Sequence, residues 1–174
     1  VKEGYEHAFP MVSASYLGIR ESRRIEGEYV MTLQDFLDHA VFDDEIGRFS
    51  YPVDLHAATA SAEDYEKFNK DHKSLRYNDG ESYGIPYRAL LPKKVENLLV
   101  AGRCISADRS MLSSVRVMPG CYITGQAAGM AAALCVKKQC GPKQLDVRLL
   151  QNALKKAGAY LPNTPEESGE MKNV

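Results

Sequence analysis

The hydrophobic pattern of the chain is clearest after Asn97. The apolar run Leu98-Leu99-Val100-Ala101 closes on Gly102-Arg103, and a polar loop leads to Arg116-Val117-Met118-Pro119. The segment that follows, Gly120 to Leu134, is packed with small and apolar residues. A short apolar run ended by a turn signal predicts a buried parallel strand over Leu98–Ala101. Pro119 suits the first turn of a helix, where its fixed φ is right and its missing N–H is not needed. That helix is predicted from about Pro119 to Gln139, with Lys137 and Lys138 at the negative end of its dipole and Gly141-Pro142 stopping it. Gly125, Gly129 and Ala133 recur every four residues, so they share a face that lets another backbone approach closely. With almost no polar face before Lys137, the helix is expected to be buried in a layered protein.

Upstream, residues 11–56 mix apolar runs with charge. Strands are predicted near Ser15–Ile25, Gly27–Met31 and Tyr51–His56. Thr32-Leu33-Gln34-Asp35 carries a capping signal for a short helix through about Ala40. Residues 57–82 are polar and charged and read as an exposed excursion. After Asp146 a second amphipathic helix is predicted, with Val147, Leu150, Leu154 and Ala157 on one face. The tail 162–174 reads as flexible. Thus residues 1–96 form a strand-rich region, and residues 97–161 form the segment with the strand–loop–helix signature.

Composition narrows the picture. The 174 residues suffice for one domain with a sizeable core. Lys+Arg total 22 against Asp+Glu 23, a net charge of −1, which gives no electrostatic case for nucleic acid or an anionic membrane. Gly125-xxx-Gly129 is also a membrane dimerisation pattern, but its apolar run is short and holds Gln126, so no membrane span is expected. The cysteines, Cys104, Cys121, Cys135 and Cys140, lack C-x-x-C spacing and predict neither a disulfide framework nor a metal site. Ser106, Ser110, Ser113 and Ser114 lie in no G-x-S-x-G turn. His7, His39, His56 and His72 lack ligand spacing. Asp43-Asp44-Glu45 reads as a solvated turn, because the full calcium-loop pattern is absent.

Strand, loop and helix N-terminus together put free backbone N–H groups at the carboxyl edge of a sheet, where open α/β folds bind anionic or polar cofactors. Arg103 and Arg116 sit beside predicted element ends at that edge. Arg20, Arg23 and Arg24 form a cationic block that would bind a carboxylate-like substrate or stabilise developing negative charge. The plain alternative is a solvated edge with ion pairs for the block, and a carbonyl cap or an interdomain salt bridge for Arg103 and Arg116.

Four blocks occur in order: Arg20 through Tyr29, Ile85-Pro86-Tyr87-Arg88-Ala89-Leu90-Leu91-Pro92, Asn97 through Arg103, and Arg116 through Gly129. Together they resemble the C-terminal part of bacterial FAD-dependent oxidoreductases of the broad glutathione-reductase-like class. The resemblance implies an α/β fold: the C-terminal fragment of a Rossmann-like FAD-binding domain, with a strand-rich substrate-side region before it. It implies FAD as cofactor and a small organic substrate. Gly102, Arg103, Arg116, Val117 and Met118 would then contact the cofactor, and Arg20, Arg24 and Arg116 would be the catalytic candidates. In that family a glycine-rich strand–turn–helix binds the pyrophosphate far upstream. No G-x-G-x-x-G occurs here and the chain starts at Val1, so the expectation is a C-terminal piece, inactive by itself, whose partner is the upstream part of the same polypeptide. A bacterial source would put the enzyme in the cytoplasm or, after signal-peptide removal, the periplasm. The competing class is a non-catalytic α/β interaction domain that keeps the helix and strand only for packing.

Overall fold

Thr32 opens the first helix as its sequence predicts. Its hydroxyl accepts the Asp35 N–H, and Asp35 accepts the Thr32 N–H at 2.7 Å, a reciprocal cap that satisfies two otherwise orphaned donors. In the computed structural model, which describes residues 3–55 and 75–165, this helix is α1 (Leu33–Leu37). It is followed by β1 (Glu45–Phe49), β2 (Tyr83–Pro86), α2 (Arg109–Val115), α3 (Met118–Lys138) and α4 (Val147–Lys156). Short 3-10 turns occupy Tyr87–Leu90, Gly102–Cys104 and Pro142–Gln144. Helices with one small sheet make a mixed α/β arrangement. The expected His56, His72 and most of the excursion fall outside the described residues. The residues described at its end, Leu75 and Tyr77, pack against the core, with the Tyr77 ring stacked on Phe36 at 4.3 Å.

The strands differ from those expected. β1 and β2 pair antiparallel, Phe49 opposite Tyr83 and Arg48 opposite Gly84, with an irregularity between Glu45 and Gly47 that leaves Ile46 as an extra residue. Leu98–Ala101 is not a strand. Its ties include one backbone bond, Val100 N–H to the Leu90 carbonyl at 3.0 Å, and Leu98 is largely exposed. An apolar run forms a ladder only beside another strand, and among the described residues none flanks it. Ser15–Ile25 and the described part of Tyr51–His56 are likewise irregular, and Gly27–Met31 is reduced to single bridges from Gly27 to Pro92 and Met31 to Ala107.

The long helix α3 stands where it was expected, with Pro119 in its first turn and Lys137 and Lys138 in its last. Its burial is the correction. Only the stripe Gly120, Thr124, Ala127, Ala131 and Cys135 is buried, packed on β1, α2 and α4. Gly125, Gly129 and Ala133 are exposed, and a Cβ on either glycine would meet no atom within 4 Å. The described chain supplies a partner for one face of an all-round apolar helix. In α4, Leu150 and Leu154 are buried as predicted, while Ala157 caps the end and is exposed.

The Asp43-Asp44-Glu45 run is not a solvated turn. Asp44 and Glu45 are buried, and Glu45 Oε1 holds Arg48 Nη1 at 2.6 Å, with the Arg48 side chain only 7% exposed. Arg48 also donates to Ser82 Oγ at 2.9 Å and the Ser82 carbonyl at 2.6 Å. Gln151 of α4 donates to the Asp43 and Glu45 carbonyls. Glu45 Oε2 is buried without a hydrogen-bond partner among the described residues. Burial pushes the Glu45 carboxyl above its ordinary pKa, and the Arg48 charge is the largest influence opposing it.

Arg48→Met is therefore expected to cost about 3–5 kcal/mol at neutral pH, because it leaves a buried charge uncompensated. Without Arg48 the folded carboxyl rises further above 4.5, so the folded state binds more protons than the unfolded one over that window. Stability then falls as pH rises through it and recovers toward acid pH. Denaturant titration of the variant and the parent chain should show a gap that narrows as pH is lowered toward 4.5; a gap independent of pH would contradict the account.

Candidate functional site

The candidate residues converge where α2 meets α3. Asp108 starts α2, accepting the Met111 N–H at 2.7 Å and also the Leu33 N–H at 2.8 Å. Arg116 ends α2, and Val117 is already the N-cap of α3. So tight a junction needs Gly120 beneath it, because a Cβ there would strike the Val115 carbonyl. Among the described residues no side chain caps α3, its first turn holds no acidic residue, and Met118 and Pro119 are exposed. The positive end of a long helix thus opens to solvent with donors available to an anionic or electron-rich group.

Gly102 is tied to this end from the side. Its N–H donates to Thr124 Oγ1 at 2.9 Å, and Thr124 Oγ1 lies 3.0 Å from the Gly120 carbonyl, to which it donates. Gly102 has φ +72°, a left-handed conformation that a glycine adopts without strain. Arg103, on the same turn, is exposed and donates from Nη1 to the Ile19 carbonyl at 2.6 Å.

The arginines gather around two carboxylates. Arg116 Nη1 lies 2.9 Å from Glu21 Oε2, and its Nη2 donates to the Asp54 carbonyl at 2.9 Å. Arg24 Nη1 meets the other Glu21 oxygen at 2.6 Å. Arg20 approaches Asp54 at 3.8 Å. The Arg116 side chain is 9% exposed, whereas Arg20 is 58% exposed. Among the described residues, three guanidinium groups face two carboxylates here. Within this chain the Arg103 guanidinium meets a backbone carbonyl and that of Arg116 a carboxylate, and these contacts draw residues 19–24 against the start of α3. Arg23 is exposed on that segment.

Sequence reasoning named the arginines but not Glu21, Asp54 or Thr124. The serines supply what holds Asp54: Ser113 Oγ accepts the Asp54 N–H at 3.0 Å, while Ser114 Oγ donates to the Tyr51 carbonyl and bonds Tyr83 Oη at 2.8 Å. Ser106 Oγ accepts the Gly27 N–H at 3.0 Å. These serines are buried ties, and burial raises the Tyr83 phenol well above its usual range. His39 packs on the Tyr77 ring at 4.7 Å. Cys121 beside Gly102 has its thiol pushed up by burial, with Arg103 the largest opposing influence. Among the described residues there is no cluster of three metal-ligating side chains and no helix long and apolar enough to cross a membrane. An open groove of about 700 Å³ lies elsewhere, between residues 96–99 and the far end of α3.

A family model described as FAD dependent oxidoreductase matches residues 1–154. No curated protein and no solved structure matches the chain.

Gly120→Ala should force α2 and α3 apart and cost roughly 1–3 kcal/mol, the usual range for inserting an atom into a packed contact. Thermal unfolding of the variant would show this, and an unchanged midpoint would mean that the junction yields without strain.

Proposed function

Because the chain belongs to the FAD-dependent oxidoreductase family, we propose that it forms the flavin-ring side of the site in an enzyme passing hydride or electrons between a small organic substrate and FAD. The observation that carries this reading is the uncapped, exposed start of α3, set beside an arginine cluster and free of acidic residues in its first turn. Those residues fit an electron-rich ring edge. The backbone of Val117 and Met118 would face the flavin's pyrimidine edge, where reduction develops negative charge that a helix N-terminus stabilises. Gly102 and Arg103 would lie against the ribityl–pyrophosphate portion. Bound FAD supplies the redox chemistry. This chain's own residues hold and orient it and set the charge around it.

Arg116 acts in this reading chiefly as a positioning residue, since Glu21 and the Asp54 carbonyl already engage its guanidinium. Arg20 and Arg24 are more exposed and would face the substrate side, where a carboxylate-bearing molecule would find them. The reading extends to a Rossmann-like domain of the glutathione-reductase-like class in a bacterial enzyme, supported by the order of the four sequence blocks. The sequence has no G-x-G-x-x-G. The pyrophosphate-binding turn is thus proposed to come from polypeptide upstream of these residues, against which the open face of α3 packs. The interaction-domain alternative would use the same open face without FAD.

Two measurements test the proposal. The 174-residue chain alone, mixed with FAD, should leave gel filtration colourless and show no turnover; protein that stays yellow would contradict the shared site. In the full-length holoenzyme, Arg116→Ala should lower the flavin midpoint potential by roughly 20–40 mV, equivalent to about 1–2 kcal/mol for a two-electron couple. An unchanged potential at normal FAD occupancy would remove Arg116 from the mechanism.

A further inference from the structure

The far end of α3 closes in an uncommon way. Gln139 adopts the left-handed conformation, φ 54° and ψ 42°. Its N–H bonds the Val136 carbonyl at 3.3 Å, and the Cys140 N–H bonds the Cys135 carbonyl at 3.1 Å. This pair of bonds is a Schellman motif, whose geometry brings the side chain after the left-handed residue onto the one five positions earlier. An apolar pair usually fills those positions. Here both are cysteines, free and lining the same open groove. The two cysteines thus meet at one helix end, on one wall of that groove. Cys135 is 7% exposed and Cys140 half-buried, so one thiol is accessible and the other waits behind it.

We propose that Cys135 and Cys140 form a thiol–disulfide exchange site that takes a low-molecular-weight disulfide of the glutathione class and closes into an intramolecular disulfide. Cys140, as the accessible thiolate, attacks one sulfur of the small disulfide. An S–S bond forms to Cys140, the old S–S bond breaks, and one small thiolate leaves and takes up a proton. Cys135 then loses its proton, attacks Cys140 Sγ and expels the second small thiol. The two protein thiols are oxidised, and one disulfide is reduced to two thiols. Burial holds the Cys135 thiol above its ordinary pKa, which makes Cys135 the resolving partner rather than the first nucleophile. The helix end supplies the proximity that a disulfide requires. Cys104 and Cys121 also neighbour each other, but they sit on separate elements, and Cys121 Sγ instead approaches the Arg116 carbonyl at 3.4 Å.

The test uses the whole chain, fully reduced and then incubated with oxidised glutathione. Peptide mapping should link Cys135 to Cys140, with two thiols and two hydrogens lost at that pair whatever glutathione the exposed Cys104 takes up. In Cys135→Ser the resolving thiol is gone, so Cys140 should retain one glutathione as a stable mixed disulfide. In Cys140→Ala the buried Cys135 should stay reduced. Linkage of Cys104 to Cys121 in place of Cys135 to Cys140 would overturn the proposal. So would glutathione kept on Cys140 of the parent chain, or glutathione on Cys135 in Cys140→Ala.

Discussion

The placement of residues 19–24 and 51–54 depends on how closely α2 and α3 meet. Two residues, Arg116 and Val117, make the whole connection, and it closes only because Gly120 presents no side chain to the Val115 carbonyl. With the backbone fixed there, the Arg116 side chain turns inward to Glu21 and Asp54. Val117, having no side-chain oxygen, leaves the start of α3 uncapped. A buried cation beside an open helix end thus follows from a single steric condition.

Around that junction the structure is held more by polar ties than by sheet pairing. Residues 19–24 reach it through Arg103, Arg116 and the Glu21 carboxylate, and residues 51–54 through Ser113 and Ser114. Hydrogen bonds to charged groups are worth about 1.5–3 kcal/mol each when sheltered, and exposed pairs close to nothing. The sheltered Arg116–Glu21 pair therefore outweighs the long, exposed Arg20–Asp54 contact. Elsewhere the core is conventional: Phe36, Tyr83, Ile85, Leu112, Leu150 and Leu154 are all buried.

What the sequence revealed was local, and what it concealed was not. The start of α3 was legible from Pro119, its end from the two lysines, and α1 from Thr32 and Asp35, because each signal lies within one helical turn. The strands were hidden. β1 carries Glu45 and Arg48, whose burial makes sense only as an ion pair, and β2 contains Gly84 and Pro86. Leu98–Ala101 looked like a strand because it is an apolar run before a turn, yet such a run says nothing of a ladder partner, and here it is at most half-buried. The arginines of the candidate site were legible by type. Their partners were not, since Glu21 and Arg116 are 95 residues apart.

The extra residue in β1 has its own consequence. In a regular strand, positions an odd number apart point to opposite faces, so Glu45 and Arg48 should turn away from each other. Ile46, inserted without a partner opposite, shifts the count by one and brings the carboxylate and the guanidinium to the same side. The parity of this strand is therefore held by a residue that takes no part in pairing. Ile46 is also a buried core residue, so the position serves twice: shrinking its side chain would open a cavity, and losing the position would send Arg48 to the wrong face and strand the buried acid.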